Sequence, residues 1–166
     1  MLVPAIKYKS EIENMFTELI YTEDYMYYHG YAHDHELPKI SLEYGLYQYA
    51  IIDVDSIVNP TIDGYGIVGF LSYRVDTAID GVYNFGLISF RKGNLTVVSD
   101  ALHEFKRLVR DHNRIEWRCV GGNPASKLYD KICERYGGTK MTLHQACATL
   151  TGKIVDSYLY EILRKR

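Results

Sequence analysis

Asn123-Pro124-Ala125-Ser126-Lys127-Leu128-Tyr129 is the stretch on which the reading of the fold turns. Asparagine followed by proline opens a helix well. The asparagine side chain accepts from an orphan amide, and proline at the first helical position loses nothing, because its N–H would have no partner there. Leu128, Ile132 and Tyr136 continue at helical spacing, and Gly137-Gly138 stops the run. Tyr129 lies six residues after Asn123. At about 3.6 residues per turn that is not quite two turns, so the helix start and the phenol share a side and a ligand lying along it meets both. A capped helix carrying a core aromatic explains these residues equally well.

Working outward from this helix, Ile115–Val120 before it reads as a short strand. Met141–Leu150 and Ile154–Ile162 after it read as two strands joined by Thr151-Gly152-Lys153. Further upstream, Leu95, Val98, Leu102, Phe105 and Val109 form the packed stripe of a longer helix, with Asp100, His103, Lys106, Arg107 and Arg110 on its wet face. Leu46–Asp55, Tyr65–Val75 and Val82–Phe90 are β-rich runs, separated by Asn59-Pro60-Thr61-Ile62-Asp63-Gly64 and by Asp80-Gly81, where glycine is expected to take a positive φ. Tyr65–Tyr73 is apolar on both alternating sets and is expected to be covered on both faces. Near the start, Ser10-Glu11-Ile12-Glu13 reads as a capping box leading into an amphipathic helix through Ile12, Met15, Phe16, Leu19 and Ile20. Thr22 caps a second short helix ending near Gly30, and 31–45 reads as an irregular polar connection. The order α-α-β-β-β-α-β-α-β-β predicts an α+β fold in one domain, 1–166, with a mixed sheet and helices on both faces.

Totals narrow the class. With 166 residues, 47% hydrophobic and 24% charged, the chain is long enough for a real core and is not of disordered composition. A net charge of −2 speaks against a general nucleic-acid binder. No run approaches the roughly 18 apolar residues of a membrane span, and no signal peptide is read. Cys119, Cys133 and Cys147 lack C-x-x-C spacing and sit in periodic apolar segments, so reduced buried thiols and a cytoplasmic location are expected. The 16 tyrosines include Tyr21, Tyr25, Tyr27, Tyr28 and Tyr31, among His29, His33 and His35. Such residues suit a half-open pocket or an interface, as well as the rim of a core.

In this order of elements the chain resembles the GNAT acyltransferases over nearly its whole length. Asn-Pro-x-Ser-x-x-Tyr after a strand, closed by Gly-Gly and a terminal hairpin, is similar to that family's second cofactor segment. The resemblance implies a mostly antiparallel sheet with a central splayed pair of strands and acetyl-CoA as co-substrate. Leu87, Ile88, Ser89 and Phe90 would hold the thioester and pantetheine arm by their backbone. Arg91, Lys92, Gly93 and Asn94 would face the pyrophosphate, with Asn123 and Ser126 on the opposite wall. Tyr129 would protonate the departing thiolate, general-acid work worth typically ~10²–10⁴-fold. The acceptor would be a small-molecule or peptide amine attacking directly, with no nucleic acid or membrane partner, and the C-terminal strands could pair in a homodimer.

Two features depart from the family pattern. Its phosphate loop carries two glycines whose amides approach the pyrophosphate. With the helix aligned by its stripe, those positions fall near Leu95 and Val98, and only Gly93 remains, ahead of them. Arg91 and Lys92 would then supply side-chain charge, with Asn94 or Thr96 capping the helix. The strand Val82–Phe90 also lacks a carboxylate. Candidate bases come from elsewhere: Glu43, His29, His33 or His35. No metal site is read in His33-Asp34-His35-Glu36, since residues so close on a loop rarely close a tetrahedral site. A GNAT-like domain without catalysis, binding a ligand or a partner, is the alternative, and the acceptor cannot be read from the residues.

Overall fold

Ile67–Asp76 forms a strand, β3, whose successive residues enter different cores. Ile67 and Phe70 belong to one apolar cluster, with Ile12 and Phe16. Val68 and Leu71 belong to another, with Val97 and Ala101. The strand is therefore covered on both faces, as its doubly apolar pattern requires. The computed structural model describes residues 1–19, 39–53, 66–149 and 152–164. The expected second helix, the Tyr/His-rich segment and the turn Asn59–Gly64 lie outside them.

Among the described residues seven strands make one sheet: β1 (Leu2–Pro4), β2 (Leu46–Ile52), β3, β4 (Gly81–Ser89), β5 (Arg114–Val120), β6 (Thr139–Ala148) and β7 (Ile154–Leu163), in the order β1-β2-β3-β4-β5-β7-β6. Only β4 and β5 pair in parallel; every other neighbour is antiparallel. Helix α1 (Lys9–Leu19) packs on one face through Ile12 and Phe16, while α2 (Leu95–Asp111) and α3 (Ser126–Arg135) pack on the other.

Four details correct the expectations. An additional strand, β1, pairs with β2 from Leu2↔Ile51 to Pro4↔Tyr49 and places proline at a sheet edge, where its missing N–H costs no ladder bond. Ser10 does not cap α1. A 3₁₀ turn, Ala5–Tyr8, runs into the helix at Lys9, so Ser10 lies inside it and Glu13 pairs with Lys9 at 3.7 Å instead. In the β3–β4 turn Asp80, with φ of 49°, takes the left-handed position expected of Gly81. Gly81 is needed for room, since a Cβ there would lie 2.7 Å from the Tyr83 hydroxyl oxygen. Finally, the buried stripe of α2 is Val97, Ala101, Glu104, Phe105 and Leu108, while Leu95 is 81% exposed and Val98 38%. The stripe is rotated because Glu104 is drawn inward by Tyr73, whose hydroxyl donates to its Oε1 at 2.6 Å.

The end of α3 follows the sequence reading closely. Gly137, with φ of 64°, donates to the Glu134 carbonyl at 3.0 Å, and Gly138 donates to that of Cys133 at 2.8 Å. This is the double bond of a Schellman stop.

Candidate active site at the fork between two parallel strands

Strands β4 and β5 pair only at Gly81↔Arg114 and Val82↔Ile115. Beyond that they part, because each follows its other neighbour. All of β5 pairs with β7, from Arg114↔Leu163 to Val120↔Ser157. Strand β4 stays with β3 but carries a bulge: between the pairs Arg74↔Tyr83 and Ser72↔Gly86, two β4 residues oppose one β3 residue, and Asn84 has a φ of 53°. A bulge sharpens local twist and turns a strand away from its neighbour. The result is a fork between the two strands beyond their two ladder pairs.

A narrow apolar cavity of about 30 Å³ lies in the fork, on the side of α2 and α3. Its walls are Phe85 and Leu87 of β4, Trp117 of β5, Val98 and Leu102 of α2, and Leu128, Tyr129 and Ile132 of α3. The partial exposure of Val98 is thereby explained, for it faces the cavity. The Tyr129 ring packs edge-on to Trp117 at 6.2 Å and to Tyr160 at 6.0 Å between centroids. Tyr160 in turn donates to Asp130 Oδ1 at 2.8 Å, an oxygen that also accepts from Lys140 at 2.8 Å. Burial, and then this carboxylate, push the Tyr160 phenol well above the ordinary range. Lys140 and then Tyr160 hold Asp130 below its own. This cluster fixes α3 against β6 and β7 and so fixes where Tyr129 stands.

The residues singled out in the sequence arrive on the two arms of the fork. Leu87 reaches the cavity, Ile88 and Phe90 pack toward α1, and the Ser89 hydroxyl donates to the Arg91 carbonyl at 2.5 Å. Gly93, with φ of 69°, has open space around it, and Asn94 Oδ1 accepts from the Val97 amide at 3.1 Å, capping α2. Across the mouth, Asn123 Oδ1 accepts from the Ala125 amide at 2.9 Å. Regular helix begins only at Ser126, so the asparagine caps a turn one step ahead of α3 rather than opening it at Pro124. Glu43 is withdrawn from the role of base. Its two carboxylate oxygens take both Arg74 terminal nitrogens at 2.8 Å, and that hydrogen-bonded charge lowers its pKa, weakening it as a proton acceptor. His29, His33 and His35 lie outside the described residues.

No family model matches the sequence, and neither does any curated protein. Solved structures do match it. A GCN5-related N-acetyltransferase from Brucella melitensis aligns with a TM-score of 0.60 over 98% of this chain and 74% of its own, at 17% identity. A probable acetyltransferase of the GNAT family from Chromobacterium violaceum gives 0.59 over 98% and 81%, at 18% identity. NAA60 of Arabidopsis thaliana, solved with a bisubstrate analogue, gives 0.59 over 94% and 93%, at 12% identity.

The chain has the GNAT fold. Within that fold one charged group escaped the sequence reading. On the fork's other face Arg114 Nη2 donates to Glu116 at 2.9 Å and to Glu161 at 2.8 Å. Strand β4 carries no carboxylate in this stretch, whereas β5 carries Glu116 just beyond the end of the β4–β5 ladder. The signal was available in Arg114-Ile115-Glu116-Trp117-Arg118, a strict charged/apolar alternation. Its charged face could have been recognised as fork-lining only once β5 was known to part from β4.

Proposed function

We propose that the chain is an N-acyltransferase that takes an acyl group from acetyl-CoA in the β4–β5 fork and passes it to an amine. The observation that carries this reading is the fork itself, with a small apolar cavity between its arms that the Tyr129 ring helps to line. The inner edge of β4 at Leu87–Phe90 would hydrogen-bond the arm's amides. Trp117 Nε1, buried on the cavity wall with no partner, would donate to an oxygen of the bound donor. Tyr129 would give its proton to the thiolate as the carbon–sulfur bond breaks. Asn123 and Ser126 would border the mouth opposite Arg91, Lys92, Gly93 and Asn94. A protein with three buried free thiols suits the cytoplasm, and among the described residues no helix is long and apolar enough to cross a membrane.

One observation favours a second reading, a GNAT-fold domain that binds but does not catalyse. The amide end of α2 is already capped by Asn94, whose Nδ2 stands 3.5 Å from the Asp53 carboxylate, where a pyrophosphate would otherwise meet free amides. Thermal unfolding with and without acetyl-CoA separates the readings. Specific binding at about 100 times the dissociation constant adds roughly 2.7 kcal/mol of stability. No shift at millimolar acetyl-CoA removes the enzyme reading. Where binding is seen, Y129F should lower kcat by about 10²-fold or more with affinity for the donor retained; unchanged kcat removes Tyr129 from the acid role.

A further inference from the structure

Among the described residues, the buried side-chain polar atoms without a hydrogen-bond partner are Tyr83 Oη, Arg114 Nε and Trp117 Nε1. All of them stand where β4 and β5 part. Arg114 belongs to the first ladder pair, Tyr83 follows the last one, and Trp117 comes two residues beyond it. Folded proteins pair most of their buried polar groups, so these atoms mark the fork as a place where the chain's own hydrogen bonding is incomplete. Trp117 faces the donor cavity. Tyr83 and Arg114 lie on the opposite face, the Arg114 guanidinium carbon 5.6 Å above the Tyr83 ring. Beside Tyr83 a depression of about 380 Å³ opens, lined also by Tyr44, Arg74 and Asp76.

The charges on that face form two poles. One guanidinium, Arg114, serves two carboxylates, Glu116 and Glu161, so the group keeps a net negative charge; the Glu116 side chain is only 16% exposed. Trp117 stacks on Tyr160 in the core, which turns Glu116 and Arg118 together to the outer face, about 6.6–6.8 Å apart along the strand. Arg118 is exposed and has no ion pair among the described residues. Two carboxylates sharing one guanidinium thus lie beside a cation with no ion pair among the described residues, next to the place where β4 and β5 part.

We infer that this face is the acceptor site and that the acceptor is an amine bearing its own carboxylate, of the amino-acid type. The inference rests on the acyl-transfer reading above. Glu116 receives the proton from the acceptor's ammonium group, and Arg118 pairs with its carboxylate. The freed nitrogen lone pair attacks the thioester carbonyl, the C–N bond forms and the C–S bond breaks; the thiolate takes the Tyr129 proton, and the surplus proton on the new amide nitrogen returns to the Tyr129 phenolate. A diamine would bring a second cation against Arg118, and an amino sugar without a carboxylate would leave Arg118 unpaired, so the poles select against both.

Trp117, the only tryptophan, is buried on the opposite face of β5 from Glu116 and Arg118, so acceptor binding is read by titration calorimetry rather than by its fluorescence. The wild-type chain, without donor, is titrated with the free L-amino acids, their carboxamides and 1,4-diaminobutane. At least one amino acid should bind about tenfold or more tightly than its carboxamide, and R118Q should bring that ratio to within about twofold. With acetyl-CoA present, E116Q should lower kcat while leaving the acceptor KM near the wild-type value. The inference is overturned if no amino acid binds at about 10 mM, a free energy near −2.7 kcal/mol by the tenfold rule. It is also overturned if acid and amide bind alike, or if the preference survives R118Q. The two readings fail differently. Absence of any acetyl-CoA thermal shift, with acid-selective binding intact, removes the donor reading alone. Turnover without acid–amide discrimination removes the acceptor inference alone.

Discussion

Glu104→Gln tests how the floor of the fork is held. Glu104 is buried on α2, with Oε1 accepting from Tyr73 at 2.6 Å and from Arg107 Nη2 at 2.7 Å, while Oε2 accepts from Arg107 Nε at 2.9 Å. Tyr73 in turn lies parallel to Phe85, which lines the cavity, at 6.2 Å between centroids. Glutamine keeps the shape and removes the charge. A hydrogen bond to a charged group is worth about 1.5–3 kcal/mol, and a fully buried pair costs about 3–5 kcal/mol to break. Arg107 is 40% exposed and rehydrates, so the loss falls below the second range; about 2 kcal/mol is expected. For a chain of this size that is roughly 4–8 °C in Tm. The sign with pH is fixed. Hydrogen bonding from Arg107, and then from Tyr73, holds the Glu104 pKa below its usual value. Its contribution is therefore complete above the unfolded carboxyl's pKa and is lost as pH falls through the lower folded one. Urea unfolding of wild type and E104Q at pH 7 and down to pH 3 should show a gap that closes with acid. A gap under about 0.5 kcal/mol at pH 7, the size of an ordinary surface substitution, or one of equal size at pH 3, refutes the argument.

Three other changes read separate parts of the frame. Gly138→Ala sets a Cβ 2.5 Å from the Glu161 carbonyl oxygen and 2.9 Å from Cys133 Sγ, so backbone must move; a loss of about 1–3 kcal/mol is expected by chemical denaturation. Asn94→Ala removes the cap on Val97 and should cost ~1 kcal/mol, whereas Asn94→Gly should cost only a few tenths. Burial pushes the Cys119 thiol up to about 11, and all three thiols are buried, so a thiol reagent at pH 8 should label the native protein far more slowly than the urea-unfolded chain. Equal labelling rates would show that the β5–α3 core opens readily.

Much of the frame was legible because local and tertiary signals agree. Gly137-Gly138 ends α3 as read, since Gly137 takes the left-handed conformation and Gly138 meets β7 too closely for any side chain. The doubly apolar pattern of β3 gave its cover on both faces. Other readings failed where tertiary contact outweighed local preference. The stripe Leu95, Val98, Leu102 is good helical periodicity, yet Leu95 is exposed, because the buried Glu104 rotates the helix and the cleft takes the remaining apolar residues. Ser10 has the right residues for a capping box, but the preceding 3₁₀ turn moves the helix start ahead of it.

The fork shows why the site was only half visible. Its proposed donor side draws on residues close in sequence, Leu87–Asn94 and Asn123–Tyr129, so a motif can point to it. Its outer face depends on a single backbone event, the left-handed Asn84, which nothing in Tyr83-Asn84-Phe85 announces beyond asparagine's tolerance of that conformation. Once β4 turns away there, the β5 alternation Arg114-Ile115-Glu116-Trp117-Arg118 ceases to be an ordinary strand pattern. Its apolar members support the cavity, and its charged members stand on the opposite side of the same opening. If the reaction runs through the fork, electrostatics on that second face must govern which amine enters. That makes the acid–amide preference of Arg118 a sharper question about this protein than the identity of its donor.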